Sequence, residues 1–134
     1  MKKKKHAKDL VIYVIKNIIF ERIMDVEPEI RAKSIVLAAE VLKYYPDLRT
    51  KRFFKTMFEN SILDKNSEIV LTTLKSLGSM ITDKSLQSFV NKFWKDNTKV
   101  LIQLCLTENP KIQRKVVELC LSFSKNISPV DETL

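Results

Sequence analysis

The stretch Asp64-Lys65-Asn66-Ser67-Glu68-Ile69, running on through Val70, Leu74 and Leu77, decides the fold because the chain repeats it. An earlier copy reads Asp25-Val26-Glu27-Pro28-Glu29-Ile30 and a later one Thr107-Glu108-Asn109-Pro110-Lys111-Ile112. Each is a polar corner with Pro or Ser two residues before an isoleucine. Each then opens a helical pattern with apolar residues at the fifth and eighth positions after that isoleucine, giving the triads Ile30, Ile35, Ala38; Ile69, Leu74, Leu77; and Ile112, Val117, Cys120. The corners carry helix-start chemistry. Pro28 and Pro110 suit the first helical position, where a missing N–H costs nothing, and Asn109 or Ser67 offers an oxygen to the free N–H groups of the first turn.

The three isoleucines lie 39 and 43 residues apart, the period of paired-helix HEAT or armadillo repeats. The expected fold is all-α, a right-handed α-solenoid of about three helical hairpins. Its six helices fall at about 7–23, 28–44, 50–62, 68–81, 84–106 and 110–125. Paired in order, they enclose one continuous core between their inner faces. Pro46 closes the second helix after Tyr45, and Asp83 suits the cap of the fifth. In the fourth, Val70, Leu74, Leu77 and Ile81 form one stripe, with Thr72, Thr73, Lys75 and Ser79 mostly on other faces. A single glycine, Gly78, and four prolines at corners or in the tail disfavour a sheet-rich fold with many tight turns.

At 134 residues the chain suits one domain that buries roughly two thirds of its unfolded surface. The expected organisation is a basic, disordered tail over 1–8, a helical repeat domain over 9–125 and a frayed tail over 126–134. Of the formal charge of +8, Lys2, Lys3, Lys4, Lys5 and Lys8 supply five, with no acid among the first eight residues. Such a run reads as a solvated tail, with a nuclear-import signal or a phosphate-binding arm as its functional readings. The apolar run from Val11 to Phe20 is interrupted by Lys16 and Asn17, so no stretch is long enough to span a bilayer. It carries helical periodicity and no small-residue cleavage site follows it, which argues against a secretory signal and for an intracellular protein. Cys105 and Cys120 fall on apolar stripes of neighbouring helices, as reduced core thiols do.

The inventory of reactive groups speaks against catalysis. The one histidine is His6, in the basic tail, leaving nucleophile systems without a base inside the domain. Zinc and iron constellations lack ligands, and one glycine builds neither a P-loop nor a dinucleotide fingerprint. The corner carboxylates Glu27 and Glu29 favour a helix N-terminus. No enzyme activity, metal or cofactor is expected. A remote enzymatic alternative is a HEAT-like DNA glycosylase, for which Trp94 beside Lys92, Lys95 and Lys99 would serve as a stacking platform; a lone Trp among apolar residues is otherwise a core residue.

The segment from Phe20 to Ala32 resembles the start of the stromalin conservative domain of the cohesin stromal-antigen HEAT subunit. That family's arginine, aspartate and Glu-Ile-Arg-Ala pattern falls on Arg22, Asp25, Glu29, Ile30, Arg31 and Ala32. The similarity continues through Lys43-Tyr44-Tyr45-Pro46-Asp47, Phe54, Asp64-Lys65 and Glu68-Ile69, then Leu86, Phe89, Lys92 and Phe93. It covers most of residues 8–124, with an insertion of about one helical turn before the third corner. Two departures stand out: family members are several times longer, and a Gly-Trp-Thr that helps form their docking groove for aromatic-containing peptides falls on Glu59, Asn60 and Ser61. That peptide-binding activity is therefore not expected here.

The resemblance implies a non-catalytic, chromatin-associated scaffold of the nucleus, acting in sister chromatid cohesion, with the kleisin subunit and other cohesin components as partners and sequence-independent contact with duplex DNA. A kleisin segment would dock as a helix or extended peptide between adjacent hairpins. Phosphate contacts need cations rather than a base-reading code. The candidates are Lys2, Lys3, Lys4, Lys5 and Lys8 on the tail; Arg49, Lys51, Arg52 and Lys55 at the third helix; and Lys111, Arg114 and Lys115 at the sixth. Arg22, Asp25, Arg31 and Asp64 read as structural repeat corners, with Arg22 and Asp25 buried. The alternative from another class is a generic HEAT-repeat adaptor for protein partners, in RNA processing or transport.

Overall fold

The computed structural model describes residues 2–15, 17, 20–22 and 26–126. These are mostly helical, with no strand among them: α1 (Lys2–Val14), α2 (Pro28–Tyr44), α3 (Arg52–Ser61), α4 (Ser67–Ile81), α5 (Gln87–Asp96), α6 (Thr98–Cys105) and α7 (Pro110–Asn126). A helical turn at Phe20–Arg22 precedes α2, and a 3₁₀ turn at Pro46–Thr50 joins α2 to α3.

The corners start helices by the chemistry their residues carry. Pro28 and Pro110 are the first residues of α2 and α7. Asn109 Oδ1 accepts from the Lys111 and Ile112 amides at 3.0 and 3.2 Å. At the middle corner the cap is Asn66, whose Oδ1 accepts from the Glu68 amide at 2.9 Å. Ser67, offered as that cap by the sequence, is instead the first helical residue. Pro46 follows α2 and opens the 3₁₀ turn, whose Leu48 is buried.

Among the described residues, and leaving aside the single turn at Phe20–Arg22, seven helices stand where six are expected, because the span 84–106 is two helices. Asn97 divides them with a non-helical backbone, φ −121° and ψ 20°. Its side chain explains the break: Nδ2 donates to Phe93 O at 2.9 Å and to Glu59 Oε2 on α3 at 3.0 Å, bonds that compete with the regular ladder. The fifth helix also starts late. Asp83 Oδ1 accepts from the Ser85 amide and holds the turn over Lys84–Leu86, so α5 begins at Gln87 without a side-chain cap.

At the N-terminus, α1 already includes Lys2 to Lys8, which were expected to form a disordered tail, and beyond Val14 the described residues of the expected helix, Ile15, Asn17 and Phe20–Arg22, are helical as well. Lysine is among the better helix formers, and Lys8 is ion-paired with Asp47 of the 3₁₀ turn. Of the C-terminal tail, Asn126 ends α7 and residues 127–134 lie outside the described residues.

The three helices that follow the repeated corners pack side by side, with α4 in the middle against both α2 and α7. Its position shows in its burial: Ile69, Val70, Leu71, Leu74, Leu77, Met80 and Ile81 are all buried. Beside this layer, Phe54 and Phe58 of α3 and Phe93 of α5 are fully buried, each side chain contributing about 1.5–3 kcal/mol of apolar burial. α1 packs on the core through Val11, Ile12 and Val14, and Ile15 just beyond it is fully buried. The buried hydroxyls of Ser34, Ser61 and Thr73 each donate to the carbonyl four residues back, at 2.8 Å, which satisfies them inside the apolar layer.

On α7 the buried flank is Ile112, Val116 and Leu119, with Phe123 half-buried. That is one step off the stripe Ile112, Val117, Cys120. Cys120 is accordingly exposed and Cys105 half-buried, and both are free thiols rather than core residues. Partial desolvation of its sulfur, followed by the neighbouring Cys105, pushes the Cys120 thiol above its ordinary value.

Candidate nucleic-acid interface

Two of the basic clusters in the sequence behave differently in space. Arg49, Thr50, Lys51, Arg52 and Lys55 meet Ser88, Phe89 and Lys92 of α5 around an open groove of about 510 Å³. Local chemistry builds its near wall. Pro46 starts the 3₁₀ turn, Arg49 Nη1 donates back to Pro46 O at 3.0 Å, and Lys51 is extended before α3 begins. Lys51 gives α3 no side-chain cap, and the first turn of α3 holds no acid. The positive end of α3 is therefore not offset by a side-chain cap or an acid where Lys51 and Arg52 sit, an arrangement that favours an anion.

The far wall is α5, on which Ser88 and Lys92 stand one turn apart. Phe89 is buried and meets Phe58 edge to face, with ring centroids 6.1 Å apart, so the groove rests on a packed floor. Its lining holds five cations and no carboxylate. Lys55 is ion-paired with Asp96 at the edge. The bond from Lys55 holds the Asp96 carboxyl below the usual carboxylate range, and the positive field of Lys55 and Lys92 adds to it.

Lys92 is the groove residue the cluster in sequence did not contain. It stands 37 residues beyond Lys55, and no local spacing links them. Lys111, Arg114 and Lys115 are not brought to this groove. Lys115 pairs with Glu118 at 2.9 Å and lines a separate, smaller pocket between α4 and α7, while Lys111 and Arg114 are exposed. The side chains of Lys2, Lys3, Lys4 and Lys5 lie outside what the structure describes.

The corner residues divide likewise. Arg31 and Asp64 form a two-pronged ion pair, Nε to Oδ2 at 2.9 Å and Nη2 to Oδ1 at 3.1 Å, and Arg31 Nη1 also donates to Val26 O. This clamp ties the first corner to the second. Arg22, expected to be buried, is exposed, and Asp25 lies outside the described residues.

Where the resemblance places a peptide groove, Glu59 is occupied by Asn97, Asn60 is exposed and Ser61 is turned inward to Met57 O. Trp94 is half-buried and packs on Phe123 of α7 at 4.8 Å between ring centroids, so its ring is engaged in joining α5 to α7. Among the described residues no group of three or more His, Cys, Asp and Glu is placed to hold a metal ion, and no helix is long and apolar enough to cross a membrane. No protein-family model matches the chain, and no curated protein matches it.

Proposed function

We propose that this chain is a non-catalytic scaffold, a right-handed α-solenoid that binds the phosphate backbone of duplex DNA in the groove between α3 and α5. In the reading that its resemblance to the cohesin stromal-antigen subunit supports, it also docks a kleisin and serves sister chromatid cohesion at nuclear chromatin. The observation that carries the DNA contact is the convergence of Arg49, Lys51, Arg52, Lys55 and Lys92 on one groove without an acid in its lining. Such a surface neutralises phosphates and releases counterions whatever the bases.

Fluorescence anisotropy on duplexes of unrelated sequence, over a range of salt, tests it. Affinity is expected to be equal for all sequences and to fall steeply with salt. The triple replacement Lys51→Ala, Arg52→Ala, Lys92→Ala is expected to flatten the logarithmic salt slope by about 0.9 for each phosphate that is no longer neutralised. Replacing Lys111 and Arg114 by Ala is the control. No binding at low salt overturns the DNA contact, and an equal weakening in the control moves it away from the groove. A pull-down against the kleisin of the same organism decides the cohesin reading, and a negative result leaves the generic adaptor, which the exposed apolar residues of α2 and α7 also suit.

A further inference from the structure

α4 and α7 share one sequence pattern but not one set of neighbours. On its α7 side, α4 presents Leu74, Lys75 and Gly78 to Lys115, Glu118 and Leu119. A β-carbon added at Gly78 would lie 3.9 Å from Leu119 Cδ1. With Ile30, Ile69 and Ile112 aligned, the α7 residues equivalent to Leu74, Lys75 and Gly78 are Val117, Glu118 and Leu121. Val117 is 52% exposed and Leu121 57%. The flank that α4 has covered is bare on α7.

The complementary flank is bare at the other end. Lys115 and Leu119, which face α4, correspond to Lys33 and Leu37 of α2. Leu37 is 48% exposed, and Lys33 is exposed too.

We propose that a second copy of this chain is what covers these flanks, the outer side of α7 in one copy docking on the outer side of α2 in the next. The register of the α4–α7 seam sets Leu121 against Leu37 and Glu118 opposite Lys33. In the internal seam those last two positions are both lysines, Lys75 and Lys115, with Glu118 on the shared rim and bonded to Lys115; between copies Glu118 also meets Lys33, an opposite-sign contact that favours the pairing. Two leucines in place of the Gly78–Leu119 contact require a wider helix separation, within the 8–10 Å that side-chain size allows. Because the two faces differ, the contact is heterologous. Every docked copy leaves a new pair of free faces, so association grows as an open stack.

Analytical ultracentrifugation of the full chain over a wide concentration range tests this, with circular dichroism melts as the folding control. The unmodified chain is expected to gain mass steadily with concentration. Leu37→Glu and Leu121→Glu, both at exposed positions, are each expected to be folded monomers. Their equimolar mixture is expected to stop at a one-to-one dimer, since each variant keeps the face the other lacks. A second pair guards against misfolding: Lys33→Glu and Glu118→Lys each weaken association, and combined in one chain they restore it. A monomer at every concentration overturns the proposal. So does a single active face, with one leucine variant still associating like the unmodified chain, or a mixture that stays monomeric.

Discussion

The middle and last copies of the repeat present the same triad to different surroundings. Ile69, Leu74 and Leu77 of α4 are all buried, whereas of Ile112, Val117 and Cys120 of α7 only the isoleucine is. The corners differ in the same sense. The first and second are clamped across the α2–α4 seam by Arg31 and Asp64. The position of Arg31 is Val70 in α4 and Gln113 in α7, and Gln113 bonds within its own corner, to Thr107 O. A repeated stripe therefore marks what a neighbouring helix can cover, and the number of neighbours decides how much of it becomes core.

The sharpest way to break this comparison is to truncate equivalent side chains. Leu74→Ala is expected to destabilise the fold by roughly 2–4 kcal/mol, as large-to-small changes in a core do. Val117→Ala, at the same repeat position, is expected to cost under about 0.5 kcal/mol, as exposed sites do. Urea melts measure both, and similar destabilisation would mean that α7 is as deeply packed as α4.

The clamp comes next. Arg31→Ala removes charge-assisted bonds to a carboxylate that is only 16% exposed, for an expected destabilisation of about 1.5–3 kcal/mol. Gln113→Ala, at the equivalent position of α7, is expected to be milder, and chemical denaturation of the two variants side by side ranks them.

Gly78→Ala should act in the opposite direction. Glycine inside a helix costs roughly 0.5–1 kcal/mol relative to alanine, and the new β-carbon meets Leu119 at ordinary van der Waals distance. A rise in stability of about that size, read from the urea midpoint, is expected; a fall would show that α4 and α7 approach more closely than this geometry.

The smallest effect lies at the rim of the groove, away from the repeat seams. The Asp96 carboxyl is held low by Lys55, so its pairing stabilises the fold above the ordinary carboxylate value and is lost as pH falls through the lowered one. Both partners are partly solvated, which keeps the contribution slight. Lys55→Ala is expected to raise the Asp96 titration midpoint toward the ordinary carboxylate value, read by NMR, with little change in thermal stability.

Helix starts were legible because they are made within a few residues: Pro28, Pro110 and Asn109 act on their own first turns. The break at Asn97 was not, since one of its two partners is Glu59, 38 residues away. Half of the groove was visible as the run from Arg49 to Lys55; Lys92 was hidden because nothing local joins α5 to α3. The stripe through Val117 and Cys120 has apolar periodicity without burial, since periodicity reports a face and not its cover.

The sequence by itself determined that the chain is helical, where its three repeated corners fall, and that its cations are clustered, because propensity, capping and charge spacing act between near neighbours along the chain. Only the tertiary structure decided that α4 is the covered helix and α7 a half-bare one, that Arg31 reaches Asp64, and that Lys92 joins Arg49 to Lys55 around one groove. These depend on which distant segments are brought side by side, and that follows from packing the whole set of apolar faces at once.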